Sequence, residues 1–436
     1  MTQEVERPLR LGQLLASGVI DSTGLAFGWT IVLLVVTDRG GLGAGALMSA
    51  AMLVGIALSA PCSAWLSARL SPRDLLRILA VAEGACRLGV FGMLWLRADT
   101  RLMALVVVAM NALAWSAFAA MRAEVARAEE EADSGRSLTW YAVAIASSEA
   151  LAAGAAALLL DRTPPTAVLA VVTGYYVLSL APQWWVGSHA DPGRHPRSAR
   201  LTQVRMVIAP AGLGALVFLL AGAPALLATV LAYELYGSTG VVVSAVAFTV
   251  CSLAAARLQA SLGGWRPPAL PLLVLGALMV GGWSMSGHSL IGLAIAQGCA
   301  GLGQCTLEGE LDSRIVSRLP VGAATAGLAF ASSSRALGGA VSVALLPSLV
   351  LHTSLPVLTG ALAGALLLAA AALAMGHVLH PVRHLPPSFA VGFAAGVVTG
   401  VVSDAAVRVR ETAGVSRPSM PAWDADLAST QSRRPG

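Results

Sequence analysis

The chain has 436 residues, of which 56% are hydrophobic and 12% charged, and its mean hydropathy is +0.75. A soluble domain has roughly a quarter of its residues charged, so this composition excludes an ordinary soluble globular protein. The sequence contains no lysine, and its net charge of +5 comes from arginine alone. A phosphate-binding loop or a Schiff-base enzyme that depends on a lysine amine is therefore excluded.

Apolar stretches of about twenty residues recur along the chain, and each is long enough to cross a membrane as a helix. They predict an all-α membrane protein with twelve transmembrane helices, arranged as two six-helix pseudo-repeats. The first set covers 11–36, 43–67, 74–96, 102–121, 137–160 and 165–187. The second set covers 207–233, 240–260, 269–286, 289–307, 321–350 and 355–379.

This layout divides the chain into four parts. An N-terminal six-helix half covers 1–187, a cytoplasmic central loop 188–206, a C-terminal six-helix half 207–380 and a tail 381–436. In the tail, residues 388–403 place Gly392, Gly396 and Gly400 four apart, which predicts a helix with one all-glycine face and a helix partner packed on it. This helix lies on the membrane, packs on a neighbour or crosses the bilayer, and the end of the tail is predicted to be disordered.

The distribution of arginines predicts the orientation in the membrane. The outer loops would hold only Arg39, Arg97, Arg101 and Arg162, whereas Arg122 and most other arginines up to Arg383 would lie in inner segments. Inner loops are rich in arginine and lysine, so the N-terminus and the C-terminus are predicted to be cytoplasmic in a multi-pass plasma (inner) membrane protein. Because the arginines are dispersed among membrane loops, no nucleic-acid partner is predicted; the partner is the lipid bilayer.

No metal or other cofactor is predicted. The five cysteines lie in or beside apolar segments without metal-like spacing. His377, His380 and His384 are interrupted by Pro381 and have no acidic or cysteine neighbour, which favours a cluster at the membrane interface.

The segment from Ala64 to Arg73, AWLSARLSPR, lies between the second and third predicted spans. It resembles the cytoplasmic loop Gly-x-x-x-Asp-Arg-x-Gly-Arg-Arg of the major facilitator superfamily, with Arg69 and Arg73 at two basic positions and Ala68 in place of the aspartate. With the six-plus-six layout over residues 11–379, the chain is similar to bacterial efflux members of that superfamily near the enterobactin exporters. The resemblance implies a secondary active transporter that exports a small organic molecule by alternating access, as a proton-coupled antiporter. It also implies that Arg69 and Arg73 belong to a gating loop.

Ionisable side chains inside predicted spans are candidates for function, because each is costly in a bilayer unless it faces a cavity or a partner. The candidates are Asp21, Glu83, Arg87, Glu149 and Arg335. Glu83 and Arg87 are four residues apart with the glutamate first, which predicts a structural ion pair.

Asp21 has no basic neighbour at helical spacing, and the first helix lines the central cavity in the superfamily. It is either a proton-coupling or substrate residue, or a structural hydrogen-bonding partner. Glu149 is expected to share a polar network with Asp21. Arg335 requires an acid of the first half such as Glu149 or Asp21, an anionic substrate, or local structural partners.

Uncharged polar residues add to the candidate site. Asn111 and Trp115 are four apart in the fourth span, and Gln297 and Gln304 are seven apart in the tenth. The corresponding helices line the cavity in the superfamily, and this chemistry suits a small amphiphilic organic substrate.

Two other classes of function remain to be weighed. The altered gating loop and the glycine-rich tail leave open a transporter-like protein that serves as a membrane receptor or assembly partner without transporting. An intramembrane enzyme is not predicted, because the sequence has no His-Glu-x-x-His or nucleophile motif.

Overall fold

The computed structural model of the protein describes residues 11–67, 69–127, 134–163, 165–189, 201–261, 269–316, 318–319 and 321–379. These residues form twelve α-helices and one short 3-10 helix, Gly282–Met285. The α-helices are α1 (Leu11–Ser67), α2 (Pro72–Trp95), α3 (Thr100–Arg127), α4 (Ser134–Arg162), α5 (Pro165–Leu178), α6 (Ala181–His189), α7 (Leu201–Leu226), α8 (Ala228–Ser261), α9 (Ala269–Gly281), α10 (Leu290–Val316), α11 (Val321–His352) and α12 (Leu355–Leu379). The predicted glycine-rich helix 388–403, the rest of the tail and most of the central loop lie outside the described residues.

Eight helical segments of the described chain are long and apolar enough to cross a membrane. Two of them, Leu11–Ser67 and Val207–Ala255, contain 57 and 49 residues. One crossing takes about 20 residues, so each of these segments is long enough for two. The chain is a multi-pass membrane protein, and the predicted all-α class is confirmed.

Backbone kinks lie where the sequence predicts turns between spans. In α1, Gly41 has φ 70° and ψ −175°, between predicted spans 11–36 and 43–67. In α8, Gly237 has φ 63° beside Tyr236, between the seventh and eighth predicted spans. Glycine suits both positions, because positive φ combined with ψ near ±180° is a conformation essentially restricted to glycine.

The sixth predicted span, 165–187, is interrupted in the structure and forms α5 and α6. At the break, the backbone amide of Leu180 donates to the carbonyl of Val177, which leaves the carbonyl of Tyr176 without its usual helical donor. Arg87 Nη1 of α2 donates to that carbonyl at 2.6 Å. A buried arginine thus supplies a donor at the break, together with Ser179 Oγ, which donates to the same carbonyl at 3.1 Å.

The three largest groups of buried apolar residues hold most of the helices together. One connects helices α1, α2, α3, α4 and α5 and includes Ile31, Val90 and Val172. A second connects α7, α9, α10 and α12. The third combines residues of both groups of helices, among them Leu34 of α1 and Trp283. Lipid tails are as apolar as leucine, so these contacts depend on close packing rather than on exclusion of water.

Hydrogen bonds also connect early and late helices around the centre of the protein. Ser333 Oγ of α11 donates to the carbonyl of Ile56 in α1 at 3.2 Å. Thr249 Oγ1 of α8 donates to the carbonyl of Ser147 in α4 at 3.4 Å. These hydrogen bonds join α1 to α11 and α4 to α8 around the central cavity.

Candidate functional site

A cavity of about 360 Å³ lies between α1, α3 and α4 on one side and α7, α8, α10 and α11 on the other. This volume is within the range of small-molecule sites. The wall brings together all seven residues that the sequence proposes for substrate binding or coupling: Asp21, Asn111, Trp115, Glu149, Gln297, Gln304 and Arg335.

The apolar part of the wall is rich in aromatic rings, including Trp29, Trp115, Phe118 and Phe248. Trp115 and Phe118 pack edge to face with ring centroids 5.0 Å apart. Phe118 in turn packs on Tyr141 at 5.6 Å. Trp115, Phe118 and Tyr141 are thus packed in series, and the first two of these rings lie in the cavity wall.

Asp312 of α10 is the centre of a charge cluster on the cavity wall. Its Oδ2 atom accepts a hydrogen bond from Arg122 Nη2 of α3 at 2.6 Å, and its Oδ1 atom accepts one from Arg335 Nη1 of α11 at 2.9 Å. Arg335 Nη2 also contacts Ser332 Oγ at 3.4 Å. The hypothesis that Arg335 pairs with Glu149 or Asp21 is therefore wrong, since its acidic partner lies one helix away on α10.

The position of Arg122 also differs from the one expected from the sequence. The sequence places it in an inner loop, but α3 continues to Arg127 and Arg122 is only 4% exposed. Its guanidinium carbon lies 5.6 Å from the centroid of the Phe118 ring. The charge of Arg122, buried in the cavity wall, is paired with the carboxylate of Asp312.

Glu308 and Asp312 are the acids that sequence reasoning missed. They lie beyond the predicted end of the tenth span at residue 307, whereas α10 extends to Val316. Gln304, Glu308 and Asp312 are each four residues apart, so they share one face of α10. This spacing of four residues is visible in the sequence, but Glu308 and Asp312 lie beyond the apolar stretch that defines the predicted span.

Asp21, Glu83 and Arg87 form a second charge cluster. Arg87 Nε donates to Glu83 Oε1 at 2.9 Å, so the two residues pair within α2. Arg87 Nη2 also donates to Asp21 Oδ1 of α1 at 2.8 Å. Asp21 therefore has a basic partner in space, although its own helix provides none.

All donors of Arg87 are used. Besides the two carboxylates, Arg87 Nη1 donates to the carbonyl of Tyr176 and, at 2.8 Å, to Ser179 Oγ. Arg87 and Glu83 are fully buried, while the Asp21 side chain is 27% exposed and reaches the cavity. Of this cluster, Asp21 is the member in a position to meet a solute.

Glu149 differs from the other acids of the wall. It forms no hydrogen bond or ion pair with the described residues, and the charges that act on it belong to Glu308 and Asp21. Glu149 and Asp21 line the same cavity and act on each other electrostatically, but no hydrogen bond joins them among the described residues, and their shared polar network stays a prediction. Glu308 accepts a hydrogen bond from Gln304 Nε2 at 3.1 Å.

The proposed gating loop forms a turn between α1 and α2. Ser71 caps α2 by accepting a hydrogen bond from the amide of Asp74 at 3.2 Å. Arg69 donates to the carbonyl of Trp65 and lies 4.1 Å over that ring. These contacts are local, and the gating role of Arg69 and Arg73 stays a prediction.

No protein-family model matches the sequence, and no curated protein matches it. The fold does match solved structures of transporters at low sequence identity. The human organic anion transporter MFSD10 matches with a TM-score of 0.60 and 12% identity, over 84% of this chain and 99% of that chain. The xylose transporter XylE from E. coli matches with a TM-score of 0.62 and 11% identity, over 82% and 96%.

A bacterial homologue of the iron transporter ferroportin, in an outward-facing state with soaked iron, matches with a TM-score of 0.57 and 16% identity, over 86% of this chain and all of that chain. The chain therefore has the fold of major facilitator transporters. The resemblance based on the Ala64–Arg73 loop and on the helix layout is confirmed at the level of the fold.

Proposed function

We propose that the protein is a secondary active transporter of the plasma membrane that exports a small organic molecule by alternating access, coupled to protons. The observation that carries the proposal is the central cavity, whose wall holds six charged side chains: Asp21, Arg122, Glu149, Glu308, Asp312 and Arg335. Charges are costly inside a membrane and mark solute or ion pathways. The transporter fold supports the same conclusion.

The proposal includes twelve crossings in two six-helix halves, with 1–187 and 207–380 on either side of the central loop 188–206. Two observations support that count. The segments of 57 and 49 residues are each long enough for two crossings, and each is kinked near a predicted turn. The sixth and ninth predicted spans are interrupted helices, which transporters tolerate where the backbone lies inside the protein.

Alternating access requires a contact between the halves that forms in one state and breaks in another. We assign that role to Arg122 and Asp312, which join α3 to α10 across the cavity. The superfamily loop uses an aspartate to latch the halves, and Ala68 stands at that position here. The Arg122–Asp312 pair supplies a carboxylate latch that this loop lacks.

Proton coupling is assigned to Asp21, because its carboxylate reaches the cavity while it is bound to Arg87. The charged groups that act on it are those of Arg87 and Glu83, and Glu149 shares the cavity wall. Protonation of Asp21 would release it from Arg87, which keeps Glu83 as its partner. Loading and release of one proton would thus change the contact between α1 and α2.

The test is solute-driven proton movement in proteoliposomes that contain the dye pyranine. A panel of cationic, anionic and neutral aromatic solutes is added with and without an imposed pH gradient. At least one solute should move protons in liposomes with the protein and not in protein-free liposomes. If no solute moves protons and none shows counterflow, the non-transporting receptor or assembly partner becomes the better explanation.

A further inference from the structure

We infer that the cavity binds an organic cation through Glu149 of α4 and Glu308 of α10; this inference rests on the proposed transport function and specifies its substrate class. The first reason is the balance of charge on the wall. Four acids line it against two arginines, and both arginines donate to Asp312. Asp21 is bound by Arg87.

Glu149 is the acid with the clearest need for a positive partner. Both charges that act on it are carboxylates, those of Glu308 and Asp21, and none of its described neighbours donates to it. Carboxylates that face one space in a low-dielectric surrounding repel each other. The charges of Arg335 and Arg122 already act on Glu308, so a cation between the two acids relieves their repulsion and gains its larger net attraction from Glu149.

Unpartnered polar groups of the wall provide a second, independent reason. Gln297 is 2% exposed and Ser244 is 6% exposed, and both line the cavity. Neither Gln297 Nε2 nor Ser244 Oγ has a hydrogen-bond partner in the described protein. Native proteins rarely leave such groups unpaired, so these two side chains are suited to a bound solute. The Ser244 hydroxyl can accept a hydrogen bond from an ammonium or a protonated ring nitrogen, whereas Gln297 Nε2 is a donor and would bind an acceptor atom elsewhere on the same solute.

The aromatic wall is also suited to a cation. Trp29, Trp115 and Phe248 line the same cavity, and the faces of such rings attract positive charge. An organic anion would need a positive charge that no carboxylate compensates, but Asp312 binds both Arg122 and Arg335, although Arg122 Nε has no hydrogen-bond partner among the described residues. The hypothesis of an anionic substrate held by Arg335 is therefore disfavoured.

The test uses two probes of the same shape and opposite charge, tetraphenylphosphonium and tetraphenylborate. Equilibrium binding of each is measured to the full-length protein in lipid nanodiscs, and binding to empty nanodiscs is subtracted. The phosphonium should bind and the borate should not compete with it. Glu149→Gln and Glu308→Gln should each weaken phosphonium binding about tenfold, which corresponds to about 1.4 kcal/mol.

Two controls separate loss of charge from loss of fold. Glu149→Asp keeps the charge and should retain most of the binding, and Glu234→Gln changes an exposed glutamate of α8 outside the cavity wall and should leave binding unchanged. Thermal melts without probe show whether each variant is folded. The inference is overturned if phosphonium does not bind, if the borate binds equally well, or if folded Glu149→Gln binds phosphonium like the unmodified protein.

The outcomes also distinguish this inference from the proposed function. If some solute shows gradient-driven flux but phosphonium does not bind, the cationic substrate is rejected and the proposed transport function is retained. Charge-selective phosphonium binding without any flux would support the cation site and count against transport.

Discussion

Asp312 and Arg122 form a 2.6 Å ion pair between α10 and α3, although 190 residues separate them in the sequence. The same carboxylate holds Arg335 of α11 through its other oxygen. One acid therefore binds two buried arginines and joins three helices around the cavity, and the charge of Glu308 also acts on both arginines. Loss of this one acid would leave more charge unpaired than loss of either arginine.

The first prediction concerns this asymmetry. Asp312→Asn should lower the free energy of unfolding by about 3–5 kcal/mol, because removing one partner strands buried charge. Arg122→Gln and Arg335→Gln should each cost less, since Asp312 keeps one arginine. Chemical unfolding in mixed micelles measures the differences, with exposed Glu234→Gln as the control.

Replacing the whole cluster with apolar residues extends this prediction. The triple variant Arg122→Met, Asp312→Leu and Arg335→Met should regain much of the stability lost in Asp312→Asn, because a buried ion cluster can be exchanged for packed apolar groups at little cost. It should remain inactive in flux. A triple variant less stable than Asp312→Asn would show that the cluster contributes more to stability than the mutual neutralisation of its charges.

The second prediction concerns Arg87, whose side chain binds two carboxylates, a carbonyl and a hydroxyl. Arg87→Gln should be more destabilising than Glu83→Gln or Asp21→Asn, because it leaves two acids without their donor and removes one of the two donors to the carbonyl of Tyr176. The expected loss is about 3–5 kcal/mol, measured by chemical unfolding. Equal losses for the three variants would contradict a central role for Arg87.

The membrane class and the positions of the intramembrane charges could be predicted from sequence, because the bilayer imposes a cost on each charge regardless of its surroundings. Asp21, Glu149 and Arg335 were recognised in this way, and all three line the cavity. Their partners could not be predicted. Asp21 meets Arg87 from 66 residues away, and no pattern within α1 indicates that contact.

Arg122 shows a different limit of the sequence. Counting arginines to orient the chain treats each one near a span end as a loop residue, yet helices extend beyond the apolar run that identifies them. The extension of α3 and α10 brings Arg122 and Asp312 inside the protein, where they neutralise each other. The charge that ends an apolar run can therefore belong to the site rather than to the loop.

The third prediction concerns topology. A reporter fused after Arg383 should be cytoplasmic, and one inserted between Arg97 and Asp99, in the turn between α2 and α3, should be on the outer side. An even number of crossings and the arginine-rich inner segments require this arrangement. Paired alkaline phosphatase and green fluorescent protein fusions measure it. A reporter fused after Arg383 that lies on the outer side would contradict the twelve-crossing architecture.

The last prediction concerns Asp21 as the proton-coupling residue. Asp21→Asn should abolish flux driven by a pH gradient but keep the protein folded, because Arg87 retains Glu83 and the Asp21 side chain is 27% exposed. Substrate counterflow, which needs no net proton movement, should persist in this variant and separates coupling from binding. Glu234→Gln is the control: it changes an exposed glutamate that lies outside the cavity wall and outside the Arg87 cluster, so gradient-driven flux should remain. Unchanged gradient-driven flux in Asp21→Asn would exclude Asp21 from coupling, and loss of both flux and counterflow in a folded Asp21→Asn protein would make it a substrate-binding residue instead.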